Sequence, residues 1–505
     1  MAFAAAILLL LIGGSLIAVY WPYRYREIHP LVEDVFGSKV KIARYHRTYF
    51  PHPGFMAADI TITRDSAPNQ PPLGSAQSLF VQGRWTDLFL FRRRVRLVEM
   101  TGVHIVIPPV GSNANREDFP PGSASGFGGP QTAVEILQIH DSLLEIQHDD
   151  GESFRFPIRE LQINGLQKGQ PLHYAIDMQN AIPHGRITAT GSFGPLNAKD
   201  VGATNVSGQF AFTSVKLHEV GDIRGTLSSS GRFSGTLQAI QADATSETPD
   251  FAVDDGHATA IYGKVHCTIN GRTGDVFMPR IELRTGRTTI QAHGQVAGSP
   301  KIANIDILLD SGRAEDVLRP FIKSEVPILG PVTLHSHAYV GPSGTGAPFL
   351  QRLHVEGAFD LSAGRLTDAK SEQALTAFSQ RAQSSKPAGP AAGDSSSASR
   401  DIFSSLQGPA VIRNGIIATP GLLFHIAGAQ AKLSGTFALH GQVVHLTGNL
   451  AMQTNISHAT TGFKSLLLKP LAPFFKKHNE GAVIPIAVIG TPGHYKVTQD
   501  LSHRK

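Results

Sequence analysis

The sequence predicts a mainly β protein built from antiparallel strands, and three features carry that expectation. Glycine at 51 and proline at 32 of 505 residues, beside 17% charged and 41% hydrophobic residues, favour many short strands joined by turns over helical bundles. Apolar and polar residues alternate with period two through most of the chain, the pattern of a strand with one oily and one wet face. Asn-Gly pairs at Asn164, Asn270 and Asn414 stand between apolar runs, where a two-residue hairpin needs backbone at positive φ.

The opening segment is of a different kind. From Ala2 to Trp21 there is no charged residue, with Leu8, Leu9, Leu10, Leu11 and Ile12 at its centre. Twenty residues at about 1.5 Å rise match the roughly 30 Å hydrocarbon core of a bilayer. A cleaved signal peptide would need a small-x-small site before Arg24, but Tyr20, Trp21 and Tyr23 stand there. These aromatics, followed by Arg24 and Arg26, fit an interfacial belt with snorkelling cations. Residues 1–23 are therefore expected to be a transmembrane signal-anchor. The long following domain is expected outside the cytoplasm, because such domains translocate largely regardless of nearby arginines.

Residues 24–370 are expected to form the β body, opened by a short helix at about Pro30–Phe36. Ile305, Ile307 and Leu309 alternate with Asp306 and Asp310, Leu433, Phe437 and Leu439 with Lys432, Ser434 and Thr436, and Val444, Leu446 and Leu450 follow the same rule. Residues 109–130 have too little apolar content to pack and are expected to be a flexible loop. Asp368 to Gln383 has helical spacing, with Ala374, Leu375 and Phe378 in register, and a Ser/Ala/Pro-rich connector follows, so 371–400 reads as a short helix and linker. Residues 401–505 form a terminal region. Within it Leu466 to Leu468, Leu471, Phe474 and Phe475 beside Lys464, Lys469, Lys476 and Lys477 fit a basic amphipathic helix, interrupted at Pro470 and Pro473. Such a helix caps the end of a sheet or, second, touches a membrane.

The chemistry of an enzyme is missing from this sequence. It has no phosphate loop, dinucleotide fingerprint, nucleophile elbow or H-E-x-x-H pair. The formal charge of +5 is too diffuse for nucleic-acid recognition, and the single cysteine, Cys267, excludes an intrachain disulfide framework and a cysteine-rich zinc site. His335 and His337 would share a strand face, but with no Cys, Asp or Glu beside them they read as a polar face, with no metal. Asp149 and Asp150 precede Gly151 as turn residues rather than catalytic carboxylates. Arg92, Arg93, Arg94 and Arg96 form the densest basic run, and Arg92, Arg94 and Arg96 would lie opposite Val95 and Leu97 as a solvated face or, second, a headgroup contact. No catalytic residue or cofactor is expected.

Several stretches together resemble the AsmA-like proteins, relatives of TamB and the repeating β-groove lipid-transfer proteins. They are HPLVEDVFGSKVKIARYHRTYFPHPGFMAADITI after the apolar run, VEMTGVHIVIPP, the strands from Gly231 to Val253 and from Ile269 to Gly298, SGRAEDVLRPF with Asp316 and Leu318, and the run from Val411 to Met452 followed by VIPIAVIGTPGHYKV with Gly490-Thr491-Pro492. The resemblance spans nearly the whole chain, apart from the loop at 109–130 and the connector. It implies a long, curved, twisted antiparallel sheet of groove or taco-like form, and an inner-membrane anchor with the bulk in the periplasm of a didermal bacterium. It also implies support of outer-membrane biogenesis by carrying phospholipid along an apolar groove. With about 25 to 30 strands at about 4.8 Å spacing, that groove would be on the order of 120 to 140 Å long. Alternation assigns Val103, Ile105, Ile107, Ile305, Ile307, Leu309, Leu433, Phe437, Leu439, Val444, Leu446 and Leu450 to its lining. The expected partners are the bilayer and its acyl chains, and other envelope proteins. The alternative is a non-enzymatic envelope scaffold affecting outer-membrane protein assembly or targeting.

Overall fold

The computed structural model describes residues 23–36, 39–63, 74–90, 92, 94–107, 133–147, 153–167, 169–197, 200–220, 222–271, 273–298, 302–342, 347–369, 372–373, 375–376, 379, 404–439, 441–452, 483–491 and 494–499. They form 26 β-strands and a few short helices, so the chain is mainly β. The expected anchor at 1–23 except Tyr23, the loop at 109–130, the connector, the terminal amphipathic helix, Asp149 and Asp150 lie outside the described residues. No helix among the described residues is long and apolar enough to cross a membrane. Two compact units divide the chain, Met1–Val215 with Ser230–Gln241, and Lys216–Ser229 with Ala242–Lys505.

The first unit opens with α1 (Tyr25–Phe36) and continues through β1 (Val40–Thr48), β2 (Gly54–Ile62), β3 (Gly74–Gln82), α2 (Trp85–Phe89), β4 (Arg94–Thr101), β5 (His104–Ile107), β6 (Ala133–Gln147), β7 (Ser153–Leu166), β8 (Leu172–Gln179), β9 (Arg186–Phe193) and β10 (Asn205–Lys216). β1, β2 and β3 pair antiparallel in order. β3 pairs antiparallel with both β4 and β5. β4 and β5 then pair in parallel with successive stretches of β6. From β6 to β10 every pairing is antiparallel.

The sheet is therefore mixed, which corrects the expectation of a purely antiparallel one. The physical reason is the connection between β5 and β6. A parallel neighbour needs a crossover of a dozen or more residues, and residues 108–132 supply that length where a hairpin turn would have reversed the chain.

α1 begins five residues before the expected Pro30, so the proline lies inside the helix. Such a proline costs a helix interior about 3 kcal/mol, and tertiary contacts hold the helix in compensation. The Tyr25 ring packs edge-on to Tyr45 at 5.4 Å, and Ile28 packs on the core formed by Val40, Phe55, Ala57 and their neighbours. His29 Nε2 donates to the Val40 carbonyl at 2.7 Å, and the Val40 amide donates to Glu33 Oε1 at 3.2 Å, fixing the helix to the start of β1.

The chain continues through β11 (Ile223–Arg224), β12 (Thr226–Thr236), β13 (Ala239–Val253), β14 (Thr259–Ile269), β15 (Val276–Thr285), β16 (Thr288–Val296) and β17 (Ala303–Arg313). α3 (Ala314–Leu318), β18 (Ile328–Leu329), β19 (Pro331–Val340), α4 (Phe349–Arg352), β20 (Leu353–Leu366), β21 (Ser404–Arg413), β22 (Ile416–Ile426), β23 (Ala429–Ala438), β24 (Val443–Met452), β25 (Val483–Gly490) and β26 (Lys496–Gln499) follow. In the second unit β14 to β17 pair antiparallel in sequence, β17 pairs with β19, and β19 to β26 continue the same way.

The Asn-Gly pairs behave in three ways. Asn414 and Gly415, at φ 52° and 72°, form the two-residue turn between β21 and β22, as two positive φ values require. Asn270 opens the longer turn between β14 and β15, where its Oδ1 accepts from the Thr273 amide at 3.2 Å. Asn164 is not in a turn: it pairs with His173 inside the β7–β8 ladder, and the chain reverses after Leu166.

The SGRAED segment closes a hairpin. The Arg287 amide at 2.8 Å and the Thr288 hydroxyl at 2.9 Å both donate to Asp316 Oδ2, while Thr288 Oγ1 accepts from the Arg313 amide at 2.9 Å. These bonds hold the β15–β16 hairpin against α3.

Within β23 and β24, large and small residues alternate across the ladder, with Leu433 opposite Gly448 and Leu446 opposite Gly435. A Cβ at Gly448 would overlap the Lys432 carbonyl oxygen, whereas a Cβ at Gly421 meets nothing within 4 Å. Gly448→Ala is therefore expected to destabilise the chain by about 1–3 kcal/mol through overpacking, and Gly421→Ala to leave it near wild type. Thermal unfolding of the two variants checks this, and equal melting temperatures would contradict it.

Candidate functional site

Each unit carries an apolar sheet face that is buried in places and half-buried in others. In the first unit the sealed part is the core under α1. Phe55, Ala57, Ile60 and Ile62 of β2 and Ala76, Leu79 and Val81 of β3 are buried there, with Tyr23 and Ile28 packed against them.

Beyond that core the face continues across β6 to β10 by direct cross-strand pairing. Leu144 and Ile146 face Phe156 and Phe154, and Ile139 and Leu137 face Leu161 and Ile163. Leu161 and Ile163 pair with Ile176 and Tyr174, Ile176 with Ala189, and Ala189 with Phe210. All these side chains are half-buried, none fully covered. Phe210 is 6.5 Å from Phe233 between ring centroids. Burial pushes the Tyr174 phenol pKa above its ordinary value.

Two irregularities keep this face in phase. Asp141, at φ 47°, interrupts β6 between His140, which pairs with Glu160, and Ser142, which pairs with Ile158, with no change of register against β7. The register of β7 against β8 shifts between Ile158 and Glu160. The shift moves the alternation of β7 by one residue, so Phe154 and Phe156 on one side of it share a face with Leu161 and Ile163 on the other.

The opposite face is charged. Arg186 donates from Nε at 2.9 Å and Nη2 at 2.8 Å to the two oxygens of Asp177, and Arg159 Nη1 lies 3.6 Å away. On the neighbouring strands His104 and Arg155 lie 3.3 and 3.6 Å from the buried Glu145.

In the second unit Ile305 and Ile307 are half-buried on the β17 face that also carries Leu309, which is 1% exposed. Their cross-strand partners on β19 are Ala338, Ser336 and Leu334. At the far end of this unit Leu433 and Leu450 are buried with Leu422, Ile426 and Ile486, and Leu446 packs against them. Leu375 also packs there, from the helical residues that follow β20. That segment is pinned by the Ser379 hydroxyl, which donates to the Ala427 carbonyl at 2.8 Å, and by Glu372, which accepts from the Leu366 amide at 2.8 Å. Ala374 and Phe378 lie outside the described residues.

The remaining expected lining residues have mixed settings. Phe437 and Val444 are cross-strand partners and half-buried. Leu439 is half-buried in the turn after β23, with its amide donating to the Gly415 carbonyl at 2.9 Å. Val103 is buried just before β5, after Gly102 at φ 63°, so it does not continue the alternation of the strand. Ile105 is 37% exposed and Ile107 half-buried, while Val106 between them is buried.

The polar face of the second unit joins histidines to carboxylates. His337 donates from Nδ1 to Asp306 Oδ1 at 2.8 Å, His293 Nε2 is 3.4 Å from the same carboxylate, and His335 is 3.9 Å from Asp310. The pair therefore does have acidic neighbours, brought across strands rather than along the sequence. No group of three or more His, Cys, Asp or Glu among the described residues is arranged to hold a metal ion. In the basic run, Arg92 and Arg94 are exposed, Arg96 donates to His52 Nε2 at 3.0 Å, Val95 is buried, and Arg93 lies outside the described residues. No protein-family model and no curated protein matches the chain.

Sequence reasoning passed over β7 to β10. The signal was present in Phe154-Arg-Phe156-Pro-Ile158 and in Tyr174, Ile176 and Met178, which alternate as plainly as β17.

The Arg186 hydrogen bonds hold the Asp177 carboxyl below its ordinary pKa, against an opposing rise from desolvation, and the charges of Arg186 and Arg159 add to the lowering. A depressed folded-state pKa contributes stability above the unfolded value of about 3.9 that is lost as pH falls through the lower folded value. Asp177→Asn is expected to flatten the acid limb of stability below about pH 4. Urea unfolding across pH 2 to 6 reads this (about the titration range of carboxylates), and an unchanged limb would contradict it.

Proposed function

We propose that this chain is an AsmA-like, inner-membrane-anchored periplasmic protein that supports outer-membrane biogenesis by carrying phospholipid acyl chains along apolar faces of a curved, groove-like sheet. The observation that supports it most is the β6–β10 face, where apolar partners follow one another across five strands and stay half-buried while the other face is charged.

Five strands at about 4.8 Å spacing present about 19 Å of oily width. That exceeds the roughly 15 Å of hydrocarbon in one leaflet, half of a 30 Å core. An acyl chain laid on such a face exchanges bilayer contact for contact with isoleucine, leucine and phenylalanine at about 25 cal/mol per Å² on either side. The two terms nearly cancel, so movement along the face needs no chemical step. The headgroup stays in water. The part sealed under α1 limits where an acyl chain lies on this face, and makes the half-buried strands β6 to β10 the stretch that receives it.

A photoreactive phenylalanine analogue placed at Ile176 or at Ala175, in cells, tests this directly. Ile176 faces the apolar side and Ala175, paired with Gln162 and Thr190, the polar side. Phospholipid adducts are expected from position 176 and not from 175. Protein adducts alone at 176 would favour the scaffold reading, and no adduct there would overturn lipid carriage.

A further inference from the structure

The described chain begins at Tyr23, next to the uncharged run, and three elements of the first unit meet at that point. The Tyr23 carbonyl accepts from the Tyr45 hydroxyl at 2.6 Å, and its ring lies 6.2 Å from that of Phe55. Its phenol sits so close to Gly83 that a Cβ there would overlap it. The Gly83 amide donates to the Pro53 carbonyl at 2.7 Å. Trp85 Nε1 donates to the Pro51 carbonyl at 3.2 Å, and the Trp85 ring stacks on Phe89 at 6.0 Å. The turn between β1 and β2, α2 and Tyr23 are thus fastened together.

This rim is oily where it faces outward. Phe50 is 90% exposed, Phe89 63% and Leu90 59%, and Tyr49 is exposed beside them. Large apolar side chains exposed together in one patch mark a protein or membrane contact site. Arg92 and Arg94 are exposed just after Leu90, while Arg84 is paired with Glu135 at 2.8 Å. The one acidic side chain of α2, Asp87, is buried. Exposed aromatic and leucine side chains followed along the chain by exposed arginines match the boundary between acyl chains and anionic headgroups.

We infer that this rim docks on the surface of an anionic phospholipid bilayer, with Phe50, Phe89 and Leu90 entering the headgroup boundary and Arg92 and Arg94 meeting the phosphates. The inference rests on residues 1–23 being a bilayer anchor, and adds that the folded body is seated on the membrane rather than held off it by a tether. It does not depend on lipid carriage.

The chain has two tryptophans, Trp21 in the apolar run and Trp85 in the rim, which makes the test clean. Full-length W21F and W85F chains are reconstituted into phosphatidylethanolamine and phosphatidylglycerol vesicles with or without brominated acyl chains. Quenching of Trp21 in W85F and of Trp85 in W21F is expected, and adding F50D, F89D and L90D to W21F is expected to abolish the second. Quenching of Trp21 without Trp85 would overturn the docking and leave the anchor. Quenching of neither would overturn both, and quenching of Trp85 that survives the three aspartates would remove these side chains from the contact.

Discussion

Side chains alternate across a strand, so the pairing register decides which face of each sheet is oily and which is charged. A slip of one residue would carry Phe154, Phe156, Ile176 and Phe210 to the charged side. The positive-φ backbone at Asp141 and the register shift beside Arg159 are the places where the alternation would otherwise drift. The ion pairs of Asp177 with Arg159 and Arg186 add a second check, because a slipped strand would turn these charges toward the apolar side chains.

What covers the oily face then separates core from candidate site. α1 covers one end of the first unit's face, and the segment carrying Leu375 covers part of the second's. Where such covers are present, burial stabilises the fold. Elsewhere the same residue types stand half-buried, and the hydrophobic free energy left over is available to a ligand. Stability and the proposed binding draw on one pattern of apolar side chains.

Much of this was legible in the sequence because it is local. The alternation in β17, β23 and β24 and the turn at Asn414-Gly415 follow from residues a few positions apart. The parallel entry of β6 is not local, and period-two patterning is the same for parallel and antiparallel neighbours. Asn164 failed as a turn signal because the ladder of β7 with β8 extends past it. His337 and Asp306 are 31 residues apart, so their hydrogen bond was invisible to a search along the chain. Leu309, Leu433 and Leu450 read the same as Ile305 and Ile307, yet are buried. That difference comes from packing with distant elements, which no window of sequence contains.

The claim that the half-buried face holds acyl chains is most directly tested by native mass spectrometry of the full-length chain released from detergent. Wild-type protein is predicted to retain phospholipid in a fixed ratio, and a chain carrying F156D and I176D to lose it while remaining folded. Identical lipid retention by the two proteins, or a wild-type chain that carries none, would contradict the account.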